Sequence, residues 1–456
     1  MFHPVGERTS VKSKARQVRR SARSEPSTFE ALAGGLVESF NDLRQSDQAP
    51  ASSRTRSNQL RIDVPMLLVI ITLVVFGLIM VYSASYDYSR AFYEGDSNAI
   101  FFRQLAWLVL GVAGASIMIL LDYHYLRLLA VPALAVTLVL LLGVLLVNTV
   151  LNGAVRTLVG YSVQPSELAK LVTIIYLSVW LAAKQDRLTD ISFGLIPLAE
   201  LLGLIGGLIA LQPDFSAVVT ILALGGLLFF LAGGDLKQIG ILLVIAVFVG
   251  LAIVYFSPTG AQRIGDWLAG LKDPTEASYH VRRAFEAFVN GGWFGSGLGR
   301  SGAKVTGLPV PPTDSIFAVV GEEIGVLGAI ALVLLYVVFF WRGMAIARRA
   351  PDQLGALLAA GASLWIALEA FVNMAVIVNL VPFAGNALPF ISAGGSSLVM
   401  SLAAVGILLN VSRLSERRRE ENGQFFNAVI NLRWRDRRRR LSRAERTASA
   451  ERQPKP

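Results

Sequence analysis

Cysteine is absent from the 456-residue chain, which excludes disulfide bridges and thiol chemistry. Charge is scarce too: Asp, Glu, Lys and Arg make up 16% of the residues, against about 25% in an ordinary soluble domain. With 54% hydrophobic residues and a mean hydropathy of +0.56, the chain belongs in a bilayer. A dinucleotide fold is excluded as well, because no strand precedes the glycine run GGWFGSGLGR (291–300), which reads as a tightly turning loop. The strings QPSE (164–167) and QPDF (212–215) are too short to argue an internal repeat. The first apolar run lacks a small-residue exit of the A-x-A kind and follows a long basic stretch (VKSKARQVRRSAR), so it reads as an uncleaved anchor.

Apolar length is what the chain has in abundance. About ten runs are long enough to span, near residues 64–84, 104–121, 128–148, 166–183, 192–211, 215–232, 238–256, 316–341, 355–379 and 395–411. This pattern predicts an all-α polytopic membrane protein. Basic residues cluster in the N-terminal tail, in WRGMAIARR and in the tail bearing ERRRE and RWRDRRRR, which places both termini in the cytoplasm and requires an even number of spans. The expected organisation is a disordered basic tail (1–62), a ten-helix membrane domain (63–412) and a second basic tail (413–456). Net charge is +10, and its concentration in the tails points to anionic lipid headgroups rather than nucleic acid, at about 1 kcal/mol per basic residue near the surface.

With that topology, residues 258–315 form a large extracytoplasmic loop between helices 7 and 8, too long for a simple connection. Within it, Ile264, Trp267, Leu268 and Leu271 repeat at helical spacing, as do Val281, Ala284, Phe285 and Phe288. Both segments read as short helices lying on the membrane surface.

Acidic residues inside such a chain need a reason. Glu322 and Glu323 begin an apolar run, where each costs about 2.5–3.5 kcal/mol at a helix centre, so they must face protein or a watery cavity. Asp314 sits where PPTDS meets the same run; alone, Thr313 or Asp314 reads equally well as an N-cap. The four inward-running helices begin QPSELAK, QPDFS, PPTDS and SAGGSS, which brings polar groups and four positive helix-dipole ends to one surface. Caps and close packing at Gly394, Gly395, Ser396 and Ser397 account for part of this pattern. Glu167 and Lys170, spaced i, i+3, form either a structural ion pair or a holder for an anionic group. Arg156, Arg263, Arg282, Arg283, Arg300 and Lys304 also fall outside, making that face basic enough for an acidic ligand.

Seven strings in order, NGAVRTL (152–158), QPSELAK (164–170), QPDF (212–215), GGWFGSGLG (291–299), PPTDSIFAVVGEEIG (311–325), LPFISAGGSS (388–397) and LLNVSR (408–413), resemble those of the SEDS family of FtsW and RodA type proteins. The resemblance runs from about residue 64 to 413. It implies a ten-helix glycosyltransferase of the bacterial plasma membrane that polymerises lipid II into glycan strands by inverting transfer from undecaprenyl pyrophosphate. The implied partners are a class B penicillin-binding protein transpeptidase and other divisome or elongasome proteins. The family's aspartate motif HTDF falls on Asp314; Pro312 replaces its His and Ser315 its Phe, so a direct role for that histidine is excluded.

On that implication Asp314 is the general base that takes the proton of the attacking 4-hydroxyl. Lys170, the loop basic residues Arg156, Arg263, Arg282, Arg283 and Lys304, helix N-termini with Ser396 and Ser397, or a divalent cation (Mg or Mn) supply positive charge to the leaving pyrophosphate. Glu167 and Asp214 orient these groups or share the cation; no cofactor is certain. QPDF and the long tails favour the FtsW-like, division side over elongation. A lipid II flippase and a non-catalytic division scaffold are the competing functions; against the first stand the missing inverted repeat and the gathering of polar groups at one face.

Overall fold

Hydrogen bonding within the segment is the only way a single chain section satisfies its backbone in lipid, and helices are accordingly what form here. The computed structural model describes residues 62–93, 95–151, 163–256 and 258–418. Arg156 with its NGAVRTL string, and the tails at 1–61 and 419–456, lie outside the described residues.

The helices are α1 (Val64–Phe92), α2 (Ala99–Leu120), α3 (Leu126–Leu151), α4 (Pro165–Ala183), α5 (Ile196–Ala210), α6 (Phe215–Leu231), α7 (Leu236–Phe256), α8 (Pro258–Lys272), α9 (Tyr279–Gly291), α10 (Ile316–Glu323), α11 (Gly325–Arg348), α12 (Gln353–Ile377) and α13 (Gly395–Arg418). No strand occurs among the described residues. Local sequence starts several of them: the Asp63 carboxylate accepts from Met66 N at 2.9 Å to cap α1, with proline in its first turn. Among the described residues, eight helical segments are long and apolar enough to cross a membrane; Phe215–Leu231 and Leu236–Phe248 are shorter apolar segments. Together they account for the ten apolar runs of the sequence. At 1.5 Å per residue the 24 residues of α11 cover about 36 Å, enough for a hydrocarbon core of about 30 Å.

The bundle has a centre and a rim. In α13, 78% of the apolar window is buried, and in α4 and α12 67%, against 17% in α2, so the first three form the centre. Trp365 of α12 and Phe229 of α6 are fully buried there.

Two expectations are corrected. The run 316–341 is not one span: it breaks at Ile324, and Gly325 takes φ +79° between α10 and α11. The cause is the glycine-rich loop, whose backbone lies against the break. Ser296 N donates to Glu322 O (2.9 Å), Gly297 N to Glu323 O (3.0 Å) and Val326 N to Gly292 O (3.0 Å). A Cβ on Gly325 would lie 2.5 Å from Gly295 N and Trp293 O, so only glycine fits. Second, α9 does not leave its apolar face for lipid: Val281, Ala284 and Ala287 are buried and the helix packs on α10. Phe288 meets Phe317 edge to face at 5.7 Å.

Candidate active site

The starts of α4, α6, α10 and α13 converge on a cavity of about 210 Å³, walled by Glu167, Lys170, Asp214, Asp314, Ser396 and Ser397 together with Gln164 and the 385–387 segment. Proline in the first turn fixes the start of α4 and places Glu167 there. One helical turn on, Lys170 Nζ lies 2.8 Å from Glu167 Oε1 and also bonds Glu369 Oε1 of α12. All three are buried, and the ammonium stands 5.7 Å above the Trp365 ring. Lys170 is therefore a structural link between α4 and α12 as well as a wall residue. Glu167 Oε2 is buried and has no hydrogen-bond partner among the described residues.

Asp214 caps α6. Its carboxylate accepts from Gln164 Nε2 (2.8 Å), Ser166 Oγ (2.9 Å), Ser216 Oγ (3.0 Å) and Ala217 N (3.4 Å). Four donors on one carboxylate make it a fixed part of the wall. Ser396 Oγ accepts from Gln164 N at 3.1 Å and ties α13 to α4.

Asp314 does not cap its helix. The N-cap of α10 is Ser315, with no side-chain capping bond, and Asp314 lines the cavity beside Thr313. Gly385 flanks the carboxylate so closely that a Cβ there would lie 2.8 Å from Oδ2.

A second, mainly apolar cavity of about 430 Å³ adjoins the first through Ser216, with Val219, Leu222, Ile264 and Phe383 among its walls. Arg263 also lines it, its guanidinium 5.7 Å above the Phe383 ring. His280 packs on the same ring at 4.3 Å, and burial together with the Arg263 charge pushes its imidazole below the usual range.

Of the described basic loop residues, Arg282, Arg283 and Lys304 do not wall either cavity. Arg282 donates to Thr275 O at 3.4 Å, and Arg283 bonds Glu286 and Thr306 O. Lys304 bonds Glu323 Oε1 (3.2 Å), Gly299 O (2.8 Å) and Ser83. Glu322 accepts from Ser301 Oγ and from Gly302 N and Ala303 N, each at 3.1 Å. The two acids thus face protein, as their cost in lipid demands, and they fasten the glycine loop.

Sequence reading missed Glu369, Asn373 and Asn386. For the first two, acid or amide groups within the apolar α12 were the available signal, but pairing Glu369 with a lysine 199 residues away needs the fold. No group of three His, Asp or Glu side chains converges as a metal site among the described residues.

The model of the FtsW, RodA and SpoVE cell cycle proteins matches residues 64–417. The chain is 40% identical to the probable peptidoglycan glycosyltransferase FtsW of Trichlorobacter lovleyi over 357 residues, covering 77% of this chain and 93% of that protein. It is 37% identical to the stage V sporulation protein E of Bacillus subtilis over 358 residues, covering 77% and 97%. Among solved structures, Thermus thermophilus RodA superposes with a TM-score of 0.56 at 24% identity, covering 78% of this chain and 98% of that one. A chain from a peptidoglycan synthase complex, solved to show structural coordination of polymerization and crosslinking, gives 0.61 at 24% identity with the same coverage. The chain belongs to the FtsW, RodA and SpoVE family of cell cycle proteins.

Proposed function

We propose that this multi-pass membrane protein is a peptidoglycan glycosyltransferase that polymerises lipid II in cell division, with both termini in the cytoplasm and the cavity open to the outer side. The observation that carries this reading is the placement of Asp314 on a polar cavity that shares the wall residue Ser216 with an apolar one. A lipid-linked sugar has that polarity: the glycan takes the polar cavity, the isoprenoid chain lies along the apolar one, and the pyrophosphate falls at their junction.

Asp314 accepts the proton of the acceptor 4-hydroxyl as that oxygen bonds to the donor's anomeric carbon. The bond to the lipid pyrophosphate breaks in the same displacement and its electrons leave with the phosphate, so no acid partner is required. Inversion follows, with no covalent enzyme intermediate. Lys170 is already held by two carboxylates, which weakens its case as the pyrophosphate holder. Arg263, on the wall of the adjoining cavity, is the other candidate for that role.

A divalent cation, magnesium or manganese, fits in a restricted way. Magnesium is ordinarily held by one or two carboxylates plus substrate phosphates, and Glu167 Oε2 on the cavity wall, without a hydrogen-bond partner among the described residues, offers one such oxygen. Bound there, the ion would neutralise phosphate charge; chelator titration of the polymerisation rate tests it.

The partner is a class B penicillin-binding protein transpeptidase, supported by the likeness to a chain of a peptidoglycan synthase complex. The experiment is reconstitution in proteoliposomes with the transpeptidase and lipid II, scoring glycan polymer and lipid translocation separately. Polymer without translocation is expected; translocation without polymer would make the protein a flippase, and neither would leave a scaffold.

A further inference from the structure

Three consecutive main-chain carbonyls at the start of α10 are held by groups distant in sequence. Ala393 N donates to Pro312 O at 2.7 Å. Ser392 Oγ donates to Thr313 O, also at 2.7 Å. Asn373 Nδ2, buried on α12, donates to Asp314 O at 3.1 Å. The same amide donates to Asn386 O at 2.6 Å, and Asn386 Nδ2 donates to Glu369 O at 3.0 Å. One side-chain amide thus ties the peptide of Asp314 to the 385–387 segment that flanks its carboxylate. Gly385, in that segment, leaves no space for even a methyl group beside Oδ2.

From this geometry we infer that Asn373 is a positioning residue for the Asp314 carboxylate, with Ser392 and the bare backbone of Gly385 completing the mount. Holding the three carbonyls fixes the main chain from which the Asp314 side chain springs. Gly385 lies close against one side of the carboxylate, which lines the cavity. The inference rests on Asp314 being the base: an aimed proton acceptor loses far more from a small displacement than a binding contact does, about 100-fold for a shift near 1 Å.

The test uses the full chain in proteoliposomes with its transpeptidase, and measures kcat and KM for lipid II per folded protein. Asn373→Ala and Gly385→Ala, one releasing the mount and the other crowding the carboxylate, are each expected to lower kcat by roughly 10- to 100-fold. KM should stay within threefold, and Asp314→Asn should lose about 10²–10⁴-fold in rate. Should Asn373→Ala fail to fold, Ser392→Ala takes its place beside Gly385→Ala. Values of kcat within twofold of wild type in these variants, or losses carried by KM alone, overturn the positioning role while leaving the base intact. Activity near the wild-type rate in Asp314→Asn removes the base itself, and the two failures are thereby told apart.

Discussion

At the end of the bundle opposite the cavity, His124 bridges two carboxylates, Asp122 at 2.6 Å and Asp352 at 2.7 Å. At the cavity end, Lys170 bridges Glu167 and Glu369 in much the same way. The difference lies in what else reaches the acids. Asp352 also accepts from Gly355 N (2.7 Å) and Tyr123 OH (3.0 Å), and Asp122 from His124 N (2.9 Å), so both serve as caps. At the cavity end Asp214 is spent in that manner, but Glu167 Oε2 has no hydrogen-bond partner among the described residues, and Asp314 lines the cavity. A charged cluster at helix ends becomes a candidate for chemistry when some of its carboxylate capacity is left uncommitted by local donors and a cavity lies beside it.

Substitutions can break this contrast. Asp314→Asn should lower the polymerisation rate about 10²–10⁴-fold, the usual worth of a general base, whereas Asp352→Asn should leave the rate per folded enzyme within about twofold; equal losses would erase the distinction between the two ends. Lys170→Ala strands two buried carboxylates and should cost about 3–5 kcal/mol in thermal or denaturant unfolding. Asp214→Ala should cost about 1 kcal/mol as a lost cap, measured in the same way.

The smallest effect is expected at the opposite end, where His124→Ala should cost no more than about 1 kcal/mol because the cluster is partly exposed. Partial burial pushes the Asp122 carboxyl up, but hydrogen bonds from the His124 main chain and ring outweigh it and hold the group below its ordinary range. Its contribution is therefore present above an unfolded value of about 3.9 and is lost as pH falls through the lower folded one. Stability measured against pH should lose this component in Asp122→Asn.

The apolar runs, the two loop helices and the Glu167–Lys170 pair were legible because each rests on spacing within one segment. The break at Gly325 was not, because it depends on the 292–297 backbone lying against it. Charge alone grouped Arg282, Arg283 and Lys304 with the site, but each bonds a carbonyl of its own loop. Arg263 lines the apolar cavity, where its guanidinium stands over the Phe383 ring. Asn373, which fixes the peptide of Asp314, stands 59 residues away in sequence, and no local pattern reports it.

The most direct measurement is single-turnover polymerisation by Asp314→Asn with lipid II already bound. Lipid II should bind with an unchanged Kd and persist without a new glycosidic bond, while wild type converts it. Glycan formed at the wild-type rate by that variant would contradict the account.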